Sequence, residues 1–290
     1  VSERIIKIGG RSLAYQEYGD PAGAPVFFFH GWPSSRTMAE LTDTAAKETA
    51  VRIISPDRPG ISRSEFAPGR KLLDWPPVVT AMADHLEIDR FHILAISGGA
   101  PYAYAAGWAI PQRIKAMAIV SGAPPLFELT DHTGLLPLYR WMLTVYRNQP
   151  GLVRFGFHVA RPLALMGFPI RLRPILLKLL QPCDAESLRD SAAFNACFES
   201  QRKAWRGSAM GVMTDARIYG EPWGFPLEEV AVPVRLWHGK KDRSFSPAVA
   251  QEVAARLPNG VARYVENAGH YSLPIRNMPE ILRDLLTAGS

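Results

Sequence analysis

Phe91-His92-Ile93-Leu94-Ala95-Ile96-Ser97-Gly98-Gly99-Ala100 is the stretch that decides the fold. The nearly unbroken apolar run 91–96 is too short for a helix and reads as a strand buried on both faces. Three small residues follow, and a helical pattern runs from about 99 to 109. A strand that turns sharply into a helix is half of a parallel crossover. The same unit recurs around it. Val26-Phe27-Phe28-Phe29, Val51-Arg52-Ile53-Ile54 and Ala116-Met117-Ala118-Ile119-Val120 are short apolar runs, separated by helical patterns at 39–48 and 74–87. Upstream, residues 4–8 and 11–18 alternate polar and apolar positions around Gly9-Gly10, the signature of an antiparallel hairpin at a sheet edge. Downstream, the strand pattern stops after Ser121-Gly122-Ala123-Pro124-Pro125. Aromatic- and leucine-rich segments broken by Pro150, Pro162, Pro169, Pro174 and Pro182 take its place. Alternation resumes with Val232-Pro233-Val234-Arg235-Leu236-Trp237-His238, then a helix near 247–257, a strand at 261–266 and an amphipathic helix near 277–288. The expectation is an α/β protein with a mostly parallel sheet flanked by helices. Residues 1–124 and 227–290 form its core domain, and 125–226 an inserted helical cap.

The 290 residues suffice for one large core. With 47% hydrophobic and 21% charged residues the composition is that of a globular protein, and no apolar run reaches the roughly 20 residues of a membrane span. Acidic residues are interleaved along most of the chain despite the net charge of +6, and no nucleic-acid motif accompanies them, so nucleic acid is not an expected partner. Val1-Ser2-Glu3-Arg4-Ile5-Ile6-Lys7 shows no export signal. Cys183 and Cys197 are too few for a disulfide framework and read as reduced thiols on helices. Cytoplasm is the expected location.

The turn after residue 96 also carries the chemistry. Ala95-Ile96-Ser97-Gly98-Gly99 places a serine between small neighbours, as a tight strand-to-helix turn requires. The opening helix favours negative charge at its N-terminus. A serine needs a base within hydrogen-bond reach and a carboxylate to orient that base. Asp242 follows the strand ending Trp237-His238-Gly239, and His270 follows the next strand in Asn267-Ala268-Gly269-His270-Tyr271. All three fall at carboxyl ends of parallel strands, where open α/β sheets bind ligands. The order Ser97, Asp242, His270 gives a nucleophile, an orienting acid and a base. Backbone N–H groups of Gly98 and of Trp32, in His30-Gly31-Trp32-Pro33, are the candidate oxyanion hole, with His30 bracing that loop. Taken singly, each residue also reads as an ordinary turn or loop residue; their shared sheet edge selects the catalytic reading.

With these motifs in order, together with Asp57-Arg58-Pro59-Gly60 and Trp237-His238-Gly239-Lys240-Lys241-Asp242, the chain resembles cap-bearing α/β-hydrolases over nearly its whole length. Ala95 stands where the usual elbow begins with glycine, and Ser62 where the second glycine of the Asp-x-x-Gly-x-Gly-x-Ser loop is usual. The His-Gly-x-Pro form is similar to that of epoxide hydrolases and haloalkane dehalogenases, but those attack with aspartate, and serine at 97 favours acyl transfer. The proline iminopeptidase branch surrounds its serine with Gly-Gly-Ser-Trp-Gly, which Ile96 and Gly98 do not match. The resemblance implies a cofactor-free, metal-free serine hydrolase of an ester or lactone. Carbon–carbon bond hydrolysis, perhydrolysis or acyl transfer, and a non-enzymatic small-molecule receptor share the same residues.

Trp141, Phe157, Trp205, Met213 and Trp223 are the expected lining of an apolar pocket over Ser97. Between His132 and Cys183 there is no acidic residue, while Arg140, Arg147, Arg154 and Arg161 recur every seven positions until Pro150-Gly151 breaks any continuous stripe. A solvated face whose arginine stems cover apolar surface is the simpler reading. Docking to an anionic membrane, or guiding an acidic substrate, is the sharper one.

Overall fold

The computed structural model describes residues 2–289. In chain order its strands and α-helices are β1 (Arg4–Ile8), β2 (Arg11–Gly19), β3 (Ala24–Phe29), α1 (Asp43–Glu48), β4 (Val51–Pro56), α2 (Trp75–His85), β5 (Phe91–Ile96), α3 (Ala100–Ala109) and β6 (Ile114–Val120). There follow α4 (Pro137–Asn148), α5 (Pro150–Met166), α6 (Arg173–Leu179), α7 (Pro182–Ser187), α8 (Ser191–Ala204) and α9 (Ala209–Gly220). The chain closes with β7 (Val234–Gly239), α10 (Pro247–Arg256), β8 (Gly260–Val265) and α11 (Ser272–Ala288).

The strands form one sheet in the order β1-β2-β4-β3-β5-β6-β7-β8, with β1, β2 and β4 paired antiparallel and the remainder parallel. Every residue of β5 is buried because successive side chains feed two cores. Phe27, Phe29, Ile93, Ala95, Met117 and Ile119 pack on one face with residues of α2 and α3. Val26, Phe28, Leu94, Ile96, Ala118 and Val120 pack on the other with α1 and α11. Strands covered on both sides lose the alternation that marks β1 and β2, which is why they read as unbroken apolar runs.

From β3 the chain moves outward to β4 and then returns to lay β5 on the other side of β3. Crossovers on the two sides run in opposite directions, so the loops after β3 and β5 part and leave a crevice at the strands' carboxyl ends. Helices α4 to α9, between β6 and β7, reach over this crevice. Trp32 Nε1 donates to Val212 O at 2.8 Å, Ser34 Oγ to Ser200 Oγ at 3.0 Å, and Tyr219 OH to Gly98 O at 2.9 Å. No helix among the described residues is long and apolar enough to cross a membrane. Cys183 and Cys197 are unbridged.

Candidate active site

Ser97 directly follows β5 and has φ +52°, the left-handed region that L residues rarely adopt. That turn lifts its side chain off the sheet edge. Asp242 follows β7 and His270 follows β8, and the three meet although His270 lies 173 positions from Ser97. His270 Nδ1 is 2.8 Å from Asp242 Oδ2 and Nε2 is 3.1 Å from Ser97 Oγ. Asp242 Oδ1 accepts from the backbone N–H of Ser244 at 2.7 Å and of Phe245 at 3.2 Å, which fixes the carboxylate's orientation.

The protonation states follow from burial and charge. Burial alone would raise the Asp242 pKa, but His270 and the backbone donors outweigh it and hold the group below its ordinary value. An ionised Asp242 only accepts, so Nδ1 of His270 carries the proton and Nε2 is left to accept from Ser97 Oγ–H. Burial pushes the His270 pKa down. The charge and hydrogen bond of Asp242 override this, with Asp184 adding, and the net position lies above the ordinary value.

Asp184 was not legible as a site residue. This carboxylate on α7 is buried and accepts from the N–H groups of His270 (3.2 Å), Tyr271 (3.1 Å) and Ser272 (2.7 Å), and from Ser272 Oγ (2.8 Å). It thus caps the orphan donors at the start of α11 from a different element while holding the His270 loop. Its approach also explains Gly269, where a Cβ would stand 2.5 Å from Asp184 Oδ2.

A second buried cluster braces the loop after β3. Arg58 Nη1 and Nη2 donate to the carbonyls of His30 (2.7 Å) and Gly31 (2.9 Å), and its Nε pairs with Asp215 Oδ2 of α9 at 2.8 Å. Arg70 pairs with Oδ1 of the same Asp215, which also accepts from Tyr102 OH at 2.8 Å. Burial would raise the Asp215 pKa, but the two guanidiniums bring it to about 2. The fully buried His30 touches Gly31 O through Nδ1 at 3.0 Å. A Cβ on Gly98 would lie 2.8 Å from Trp32 Cβ and 3.1 Å from Trp32 N, so the backbone nitrogen of Trp32 approaches the Gly98 turn as closely as only glycine allows. Ser62 has φ +52°, keeping the left-handed conformation of the glycine it stands for.

Ser97 lies at the junction of two clefts. One, of about 620 Å³ counting space open to solvent, is almost wholly apolar and is lined by Leu126, Met142, Leu143, Val153 and Phe245 beside Ser97 and Gly98. The other, of about 1010 Å³ on the same basis, is mixed: His270, Gln181 and Arg243 line it together with Leu41, Leu136 and Leu179. Trp32, Ser97 and Tyr139 border both.

The expected pocket lining is corrected on this point. Trp141 is 61% exposed on the outer side of α4. Phe157 and Trp205 are spent in a separate small core with Ile61, Ala204 and Val212; Phe157 reaches the site only as backing for the Trp32 ring, 6.1 Å away. Trp223 stacks on Tyr104 and Phe225, and Met213 opens onto an outer groove with Tyr146 and Arg154. The side chains of α4 that do face Ser97 are Tyr139, Met142, Leu143 and Tyr146, spaced i, i+3, i+4, i+7. That spacing was present in the sequence.

A strained serine turn at the switch point of a parallel sheet, beneath an inserted helical layer, defines a class, and sequence comparison agrees with it. Residues 24–275 match the alpha/beta hydrolase fold family, and the chain belongs to that family. An uncharacterized hydrolase, YcgS, of Bacillus subtilis is 31% identical over 116 residues, 40% of this chain and 40% of that protein. A non-heme chloroperoxidase of Streptomyces lividans is 29% identical over 124 residues, 42% and 45% respectively. These matches span less than half the length of the curated relatives. A bromoperoxidase structure from Bacillus anthracis superposes with a TM-score of 0.72 at 17% identity, covering 99% of this chain and 100% of that one, a likeness of fold.

Proposed function

We propose that the protein is a serine hydrolase that cleaves esters or lactones of largely apolar small molecules through an acyl-enzyme on Ser97. The observation that carries this reading is the continuous chain Ser97 Oγ, His270 Nε2, His270 Nδ1, Asp242 Oδ2, set where an almost wholly apolar cleft meets one of mixed lining. His270 takes the Ser97 proton as Oγ attacks the carbonyl, and Asp242 steadies the imidazolium that forms. Trp32 and Gly98 N–H groups receive the oxyanion. Because the leaving alkoxide must be protonated by His270, which lines only the mixed cleft, the alcohol portion leaves on that side and the acyl portion occupies the cleft lined by Leu126, Met142, Leu143 and Val153. Water enters by the vacated side, and His270 deprotonates it against the acyl-enzyme.

Labelling with a fluorophosphonate tests the nucleophile. Wild type is expected to label and Ser97→Ala not, with ester turnover falling by roughly 10⁴ or more. A panel of esters should show kcat/KM rising with acyl length and depending little on the alcohol; the reverse preference would invert the assignment of the clefts. A bifunctional esterase/perhydrolase of Acinetobacter calcoaceticus, 27% identical over 125 residues, supports a second reading, in which hydrogen peroxide replaces water as acyl acceptor. Partition of one acyl-enzyme between water and added peroxide separates the two.

A further inference from the structure

We infer that the outer face of α5 and the segment after it docks on an anionic phospholipid bilayer. Of the fourteen large hydrophobic side chains exposed among the described residues, all but Ile5 and Val261 lie between 138 and 179. On α5 they form one stripe, Leu152, Phe155, Val159, Leu163 and Met166, with Phe155 67%, Leu163 69% and Met166 80% exposed. The opposite side of the same helix is already used, since Phe157 packs with Trp205 and Val212, and Val153, Ala164 and Leu165 lie against them. A helix apolar on both sides is one with an apolar neighbour on both sides, and monomeric surfaces rarely leave so contiguous a stripe in water.

Charge selects the occupant. Arg140, Arg147, Arg154, Arg161, Arg171, Arg173 and Lys178 occupy this region, no acidic residue lies between His132 and Cys183, and none of the seven is paired with a carboxylate among the described residues. Arg161 and Arg173 are turned onto backbone carbonyls, leaving Arg147, Arg154, Arg171 and Lys178 exposed. Two copies of this chain pressed together by the same face would set cation against cation. A bilayer with anionic headgroups offers apolar depth for the stripe and negative charge for its rim.

The inner sides of α4 and α5 supply Met142, Leu143 and Val153 to the apolar cleft beside Ser97, so one layer of helices would separate the lipid from that cleft.

Co-sedimentation with phosphatidylcholine vesicles, with and without phosphatidylglycerol, tests the inference on wild type, on Phe155→Ser/Leu163→Ser and on Ser97→Ala. Wild type and Ser97→Ala should bind only the anionic vesicles, less so as salt is raised, so the result does not depend on the catalytic reading. The double variant should partition roughly tenfold or more weakly while hydrolysing a water-soluble ester as wild type does. Absence of binding, or binding the double variant keeps, overturns the inference. So does a wild-type dimer in sedimentation velocity that the double variant dissolves, since the face would then be an interface between copies.

Discussion

At the scale of residues, His270 is held by two carboxylates, Asp242 at its ring and Asp184 at its backbone N–H, only the first of which the sequence revealed. Asp242→Asn removes the acceptor that fixes the imidazole tautomer and should lower kcat by about 10⁴ with the fold intact by circular dichroism. Asp184→Asn acts differently. Its charge helps raise the His270 pKa against burial, with Asp242 and the nearby His238 the other titrating neighbours. The proposed base is the neutral imidazole, so removing a negative charge lowers the pKa and should move the acid limb of kcat/KM to lower pH. An unmoved limb in a folded Asp184→Asn would limit Asp184 to capping. That Ser97, Asp242 and His270 come together was legible because each follows a strand with turn residues around it. Asp184 was not, because it reaches the site from a cap helix 86 positions before His270, and nothing in local sequence marks such a contact.

At the scale of elements, α9 is tied to the sheet by Asp215 and its two arginine partners. Asp215→Asn leaves Arg58 and Arg70 buried without a counter-charge, a loss of about 3–5 kcal/mol. For a chain of this size that corresponds to a fall in melting temperature of roughly 5–8 °C, readable by calorimetry. A change near zero would mean that the arginines find water or carbonyls instead. The limits of the core strands and of α2, α3 and α10 were legible to within a few residues because the apolar pattern reports burial, whereas α11 begins at Ser272, five residues before the expected 277. The cap's inner face was not, because Trp141, Phe157, Trp205, Met213 and Trp223 stand out by size, whereas the face of a helix is set by spacing. The run Tyr139, Met142, Leu143, Tyr146 carries that spacing, and Trp141 falls outside it.

At the scale of the whole molecule, acid should unfold the protein through histidines its core keeps neutral. Burial, with Lys115 and Arg90 close by, brings the His92 pKa from 6.5 to about 4, and burial lowers that of His30 as well. Between about 6.5 and about 4 the unfolded chain therefore binds more protons than the folded one, so stability falls as pH falls through that window. The raised His270 pKa acts only above it. Melting temperatures across the window should slope downward toward acid, and His92→Gln should flatten the slope; an unchanged slope would sink the assignment. The inserted helices carry one more consequence. β6 and β7 pair side by side, yet the whole cap separates them in the chain, with Ser97 on one side of it and Asp242 and His270 on the other. Joining the two strands closes the longest loop in the sheet, and entropy delays such closures until both ends are present and ordered. A nascent chain thus carries Ser97 long before Asp242 and His270 are made, and the hydrogen-bonded chain of the three is complete only when the last strand and helix have arrived.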